Sequence, residues 1–242
     1  MWFATRAGIA VYDGVSWGKF TVSQELPVPS FSKIAVDRKD RIWALGYPGQ
    51  GGIRVVYYDK GQWNSFPGPA VEDFELSQTT SFALLEQEEQ NRMPTIAVGT
   101  ANQGILIRHR GKWKHLTQHH GLVSNAVNGI VTIKGKFYAA TDKGLSVIDH
   151  RFNVDNRLNR QLGLGAARIK GIAVQHKDKF PACPLKSCRV WLYGENWIGW
   201  FDEKDFKMIR YPLGLLLSGE KSSVNMLPDY CCGVYVGDLY SL

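Results

Sequence analysis

A short pattern is written four times in phase along this chain, and nothing else in the sequence restricts the fold as strongly. Residues 2–20 read WFATRAGIAVYDGVSWGKF, residues 41–66 RIWALGYPGQGGIRVVYYDKGQWNSF, residues 95–116 TIAVGTANQGILIRHRGKWKHL and residues 137–154 FYAATDKGLSVIDHRFNV. Each copy is an aromatic or apolar strand closing on a small residue and often Thr, then a short Gly-containing turn. A Gly-Ile or Gly-Leu opens a second strand, and an aromatic third strand usually follows. A looser fifth copy, VWLYGENWIGWFDEKDFKMIRY, begins at Val190, and GVYVGDLYSL at the C-terminus starts a sixth. A unit this small cannot bury both faces of a sheet by itself, so its copies must stack on one another.

The anchor residues of the first strands are Trp2, Trp43, Ala97, Tyr138, Trp191 and Tyr235, giving steps of 41, 54, 41, 53 and 44 residues. Steps of that size suit one four-stranded blade, and the apolar positions alternate as in half-buried strands instead of following a helical period. Each blade is predicted to run from an inner strand (FSKIAVD, VNGIVTI, IKGIAVQ) through the anchor strand and the Gly-started strand to an outer strand (QWNSF, KWKHL, FKMIRY). The expected fold is all-β: a β-propeller of four-stranded blades, five to six of them visible, forming a single domain over residues 1–242 and a fragment of a larger ring. Trp2, Trp43 and Trp191 are expected as core between blades. The two long steps place insertions around residues 86–94 and 176–188, both between an inner and an anchor strand. Antiparallel connection puts both at one end of the blades, with the shorter Gly-rich turns at the other.

Charge and hydropathy narrow the partners. The net charge of +7 is diffuse, with 13 basic against 11 acidic side chains in residues 1–120 and 16 against 11 in the rest. A nucleic-acid binder concentrates Lys and Arg on one face, interleaved with stacking aromatics, so no nucleic acid is expected. No apolar run approaches the roughly 18 residues of a membrane span, so no direct membrane insertion is expected either. The repeat is already under way at Trp2; the chain is read as beginning inside a repeat, with any secretion signal upstream.

Candidate chemistry is sparse. The cysteines stand at 183, 188, 231 and 232. A disulfide between Cys183 and Cys188 would close the second insertion; free buried thiols and a metal site are the alternatives. His119 and His120 open a blade-to-blade linker and could meet a ligand, against a plain surface loop. Glu88 and Glu89 form an acidic patch in the first insertion. Tyr47, Asn102, Asp142 and Glu195 occupy equivalent turns after the anchor strands, and with Trp197 in the aromatic ENWIGW segment they form a predicted ligand rim. Phosphate loops, nucleophile elbows, HExxH and paired catalytic acids are all missing from the sequence, so no enzyme activity, metal or cofactor is expected.

Residues 119–149, HHGLVSNAVNGIVTIKGKFYAATDKGLSVID, resemble the two-component regulator propeller repeat, with its Gly-Leu-x-Ser-Asn-x-Val linker, inner strand, aromatic strand, Thr and Gly-Leu. Residues 2–13, 41–58 and 95–108 resemble it too, and residues 190–202 keep its outline. The resemblance implies a non-catalytic sensor propeller, periplasmic or extracellular, serving as the input domain of a histidine kinase, diguanylate cyclase or hybrid regulator. Its ligand would be a small molecule, a glycan or a protein, and its output module would lie outside this chain. Two alternatives stand beside it. One is an interaction scaffold presenting the two insertions. The other is a metal-dependent lyase, since WFAT resembles strands of the streptogramin lyase type; His119 or His120 with Asp142 would then be the catalytic set.

Overall fold

The computed structural model describes residues 1–22, 26–47, 52–68, 79–86, 93–175, 189–202, 206–210, 224–228 and 234–238. Residues 87–92 of the first insertion, with Glu88 and Glu89, the whole of the second (residues 176–188), and all four cysteines, Cys183 and Cys188 among them, lie outside these. The strands are β1 (Trp2–Thr5), β2 (Gly8–Tyr12), β3 (Trp17–Phe20), β4 (Ser30–Val36), β5 (Ile42–Tyr47), β6 (Arg54–Asp59), β7 (Gln62–Pro67), β8 (Thr79–Leu85), β9 (Thr95–Thr100), β10 (Ile105–His109), β11 (Lys112–Leu116), β12 (Val127–Ile133), β13 (Lys136–Thr141), β14 (Gly144–Ile148), β15 (Val154–Asp155), β16 (Gly171–Gln175), β17 (Arg189–Tyr193), β18 (Trp197–Phe201), β19 (Phe206–Arg210), β20 (Val224–Pro228) and β21 (Val234–Asp238). One short helix, α1 (Arg157–Gln161), follows β15. Among the described residues no helix is long and apolar enough to cross a membrane.

The strands form six successive antiparallel sheets: β1 to β3, β4 to β7, β8 to β11, β12 to β15, β16 to β19, and β20 with β21. These are the first to sixth blades, and every expected anchor lies on its strand. The chain divides into two compact units, Met1–Val98 with Leu106–Lys114, and Gly99–Ile105 with His115–Leu242. In the first unit β4 lies beside β1 and β8; in the second, β16 lies beside β12 and β20.

Local chemistry explains the recurrent Thr and Gly. Thr5, Thr100 and Thr141 end anchor strands, and each hydroxyl donates to a glycine carbonyl, Gly8, Gly104 and Gly144, at 2.8, 2.9 and 2.7 Å. Each also accepts a backbone N–H inside the turn, from Ala7, Gln103 or Lys143. Gly104 has φ +82°, and a Cβ there would run into the Leu116 carbonyl at the end of the outer strand. The fourth blade solves that edge differently. Its outer strand β15 has only two residues, and the buried Asn159 of α1 substitutes for the missing backbone. The Asn159 side chain accepts from Leu145 N at 2.7 Å and donates to Leu145 O at 2.7 Å.

Packing follows one rule. In the first unit the face of a blade that carries its anchor residue packs on the opposite face of the next blade. Trp2, Ala4, Ile9 and Phe20 meet Ala44, Val56 and Trp63; Trp43, Leu45, Val55 and Phe66 meet Ile96, Val98, Leu106 and Trp113. In the second unit Tyr138, Ala140 and Leu145 meet Val190, Leu192 and Phe201 by the same faces. Trp43 is fully buried as expected, but Trp2 and Trp191 are only half-buried. Trp191 keeps its indole N–H on Gln175 Oε1 at 3.2 Å, a polar requirement that a wholly apolar site would not meet.

Trp43 is additionally tied to the turn between β4 and β5. Asp37, whose side chain has no exposed surface, accepts from Trp43 Nε1 at 2.8 Å, from Arg41 Nε at 2.6 Å, and from the Lys39 and Arg41 backbone N–H groups. Burial alone would raise this carboxyl, but the hydrogen bonds from Trp43 and Arg41 outweigh it and hold the pKa below the ordinary value.

Asp37→Ala leaves Arg41 buried without its partner and should cost about 3–5 kcal/mol in urea unfolding. A depressed folded pKa means that the stabilisation is complete above the unfolded value of about 3.9 and is lost as pH falls through the folded value. The parent should therefore lose more stability than Asp37→Asn between neutral pH and about pH 3. Asn159→Ala orphans two buried backbone groups of Leu145 and should lower stability by about 1–3 kcal/mol for each, read by the same method.

Candidate functional site: polar pairs at the blade rims

Two positions recur at the blade end that carries the Thr–Gly turns. The first is four residues beyond the anchor: Tyr47, Asp142 and Glu195 follow Trp43, Tyr138 and Trp191 at this distance. The second is an extra residue at the head of the inner strand. In β4 the register shifts between Phe31 and Lys33, and in β12 between Val127 and Gly129, so Ser32 and Asn128 stand outside the regular pairing. Lys170 plays that part in the fifth blade, donating its N–H to Tyr193 O at 2.8 Å although Gly171 is the register partner of Tyr193. Such a bulge turns a side chain out of the alternation, here toward the strand ends.

These two positions meet in each of the three blades. Ser32 Oγ and Tyr47 OH are 3.0 Å apart. Asn128 Nδ2 donates to Asp142 Oδ1 at 2.8 Å. Lys170 Nζ lies 3.6 Å from Glu195 Oε1. The second member of each of the first two pairs also reaches forward: Tyr47 OH bonds the Thr79 hydroxyl at the start of β8, and Asp142 Oδ1 accepts from Arg168 Nε at 2.9 Å. Asn128 donates a further bond to Ile169 O at 2.8 Å. Beneath the fifth-blade pair, burial pushes the Tyr193 phenol above its ordinary pKa.

The chemistry of the pair thus changes from hydroxyls to amide and carboxylate to ammonium and carboxylate on a constant backbone frame. The charged members remain open to solvent, with side-chain exposures of 34% for Asp142, 58% for Arg168, 32% for Lys170 and 67% for Glu195. Tyr47 belongs to the first unit; the fourth- and fifth-blade pairs belong to the second.

The remaining predicted positions do not join these pairs. Asn102 is exposed but lies five residues beyond its anchor Ala97, and Ala101 holds the fourth place. His119 and His120 are exposed on a 3-10 turn, Gln118–His120, where His120 Nδ1 lies 3.0 Å from the hydroxyl of Thr117 in the same turn. Asp142 bonds Asn128 and Arg168 through Oδ1. Trp197 is buried in the second unit's core cluster with Leu164, Ile169 and Leu192. Among the described residues no three His, Cys, Asp or Glu side chains form a metal-holding group. Sequence reasoning missed Ser32, Asn128, Lys170 and Arg168. The first three could have been found by aligning FSKIA, VNGIV and IKGIA, where the second residue is polar in an otherwise apolar head.

No protein-family model matches the sequence, and no curated protein matches it. Solved structures show the fold. The extracellular domain of a hybrid two-component system from B. thetaiotaomicron is 18% identical, with a TM-score of 0.61 over 97% of this chain and 30% of that one. A second such domain from the same organism is 14% identical, with a TM-score of 0.58 over 99% and 34%. A gluconolactonase from Xanthomonas campestris is 12% identical, with a TM-score of 0.51 over 78% and 63%. The chain spans about a third of the length of the two extracellular domains. The fold is that of β-propeller blades.

Exposed ion pairs contribute little to stability. Asp142→Ala and Arg168→Ala are each expected to change the unfolding free energy by less than about 1 kcal/mol in urea titrations.

Proposed function

We propose that the chain is part of a sensor propeller acting outside the cytoplasm, the input domain of a two-component or related signalling protein, and that the rim pairs receive its ligand. The observation that carries this reading is the recurrence of the pair at one register with a different chemistry in each blade. Pairs kept for stability alone have no reason to be charged at an exposed site, where the Coulomb gain is small. Asp142 with Arg168 and Lys170 with Glu195 instead hold donors and acceptors in place, ready to exchange a partner for a ligand. A small polar molecule, a glycan fragment or a protein loop offering both donors and acceptors suits such a rim. The likeness to extracellular domains of two-component systems supports the sensor assignment.

A second reading, an enzyme on the same fold, draws on the likeness to the gluconolactonase. It requires a base near Asp142, and His120 is occupied within its own turn.

Titrating the chain with a panel of mono- and oligosaccharides and amino acids, read by unfolding, should identify a ligand that stabilises it by about 2.7 kcal/mol at a hundredfold excess over Kd. The double variant Asp142→Ala/Glu195→Ala should lose that gain while unfolding like the parent without ligand. Equal stabilisation of the variant would move binding off the rim, and appearance of product during the titration would replace sensing by catalysis. In the encoding reading frame, a membrane-spanning helix followed by a kinase or cyclase module is the expected output; a frame carrying neither removes the support for signalling.

A further inference from the structure

The segment that leads the fourth blade into the fifth carries two cations that the fold does not require. Residues 168–170 read RIK where the heads of the second and fourth blades read SFS (residues 30–32) and AVN (residues 126–128), and the middle residue, Phe31, Val127 or Ile169, is buried each time. Ile169 N donates to Thr141 O at 3.0 Å and Lys170 N to Tyr193 O at 2.8 Å, while a Cβ on Gly194 would come within 2.8 Å of the Arg168 carbonyl oxygen. The segment is thus pinned between the turns of Asp142 and Glu195, all within the second compact unit. Buried Ile169 leaves Arg168 and Lys170, two residues apart, exposed on one side of the chain.

The hydrogen bonding of these groups is incomplete in a specific way. Arg168 gives only Nε, to Asp142 Oδ1 at 2.9 Å, and neither Nη has a bond among the described residues. Asp142 takes both of its side-chain bonds through Oδ1, so Oδ2 has none among the described residues. Lys170 Nζ and Glu195 Oε1, at 3.6 Å, are too far apart for a hydrogen bond. Across the two turns and the segment between them, Lys143, Arg168 and Lys170 stand against Asp142 and Glu195. The excess charge is positive, the open donors are a planar fork and an ammonium, and open carboxylate oxygens flank them.

Resting on the reading of the rim as the ligand site, we infer that Arg168 and Lys170 bind a carboxylate of the ligand, and that this ligand carries a hydroxyl or amino donor on the carbon beside it. The Nη edge of Arg168 matches the two oxygens of a carboxylate in a bidentate bond, and Lys170 adds a point charge. Asp142 is a positioning residue for Arg168, since its bond to Nε sets the plane of the fork. Its Oδ2, and Glu195 on the other side, accept from the donor of the ligand. A neutral sugar leaves the Nη groups without a charged partner, and a carboxylate lacking the adjacent donor leaves the acidic oxygens unmatched. Phosphate brings a tetrahedral shape and a further negative charge toward Asp142 and Glu195. α-Hydroxy and α-amino acids supply both halves of what the rim offers.

Lactate and alanine serve as probes, with lactamide, alaninamide, propionate and inorganic phosphate as their counterparts, in NMR titrations of the isotope-labelled chain. The signals to follow are the Arg168 Nε–H and the backbone amides of Asp142 and Gly194. Lactate or alanine should move them, and each counterpart should bind about tenfold more weakly or worse. Arg168→Lys keeps the charge and loses the fork, and should weaken the binding of lactate or alanine about tenfold at unchanged urea stability. Lys170→Gln should weaken it as well. Equal binding of an amide, of propionate or of phosphate overturns the inference, as does binding that Arg168→Lys and Lys170→Gln leave unchanged, or the absence of any shift with lactate and alanine. A neutral saccharide that moves the same signals, and ceases to in Asp142→Ala/Glu195→Ala, overturns the carboxylate assignment and keeps the rim as the ligand site. Probes that shift signals only away from the two turns remove the rim reading along with the inference.

Discussion

A four-stranded blade has two apolar faces and can satisfy neither alone, and the packing of this chain follows from that requirement. The solution is a directional contact, anchor face on receiving face, repeated with different side chains. Phe20 meets Tyr58 and Trp63; Phe66, at the same register, meets the Arg108 guanidinium and Trp113. An aromatic ring and a guanidinium plane are interchangeable here because both offer a flat, weakly hydrated surface to a π face. The contact therefore tolerates a change from neutral to charged without a change of backbone register.

Strand ends escape this requirement. The chain leaves the anchor strand on a Thr–Gly turn at Asp142 and on a glycine, Gly46 or Gly194, at Tyr47 and Glu195, so the residue four beyond the anchor has no structural identity to keep. Tyr47, Asp142 and Glu195 show that freedom, and the bulged partners Ser32 and Asn128 vary with them. Conservation of geometry and diversity of chemistry coexist because they rest on different atoms of the same few residues.

What the sequence made legible was what local spacing controls. Strand order, anchors and the turn-borne rim positions Tyr47, Asp142 and Glu195 all follow from a pattern within one repeat. Asn102 shows the limit: with one extra residue in the turn, counting back from Gly104 points to Asn102 while counting from the anchor Ala97 points to Ala101. Trp197 sits beside an exposed turn in the sequence, yet its side chain returns to the core, a direction that composition does not encode. Asn159 is less accessible still, because its role as a surrogate strand depends on Leu145 in a neighbouring element and on an outer strand cut short. The Asp37, Arg41 and Trp43 arrangement has a counterpart in Gln175, Arg189 and Trp191 of the fifth blade, with an amide in place of the carboxylate, but the buried ion pair itself depends on the single change of Gln to Asp.

The rim and the packing nonetheless share atoms at one place. The Asn128 amide donates to Asp142 and to the carbonyl of Ile169, a fully buried residue at the head of the fifth blade's inner strand, while Asp142 accepts from Arg168 one residue earlier. A ligand that draws Asp142 away from Arg168 would thus act on the segment that leads the fifth blade onto the fourth. Net hydrogen-bond energies of about 1 kcal/mol are small beside the apolar contact of the two blades, which buries several large side chains. Under the proposed reading, exchange of partners at Asp142 would therefore adjust how the fifth blade begins without separating it from the fourth.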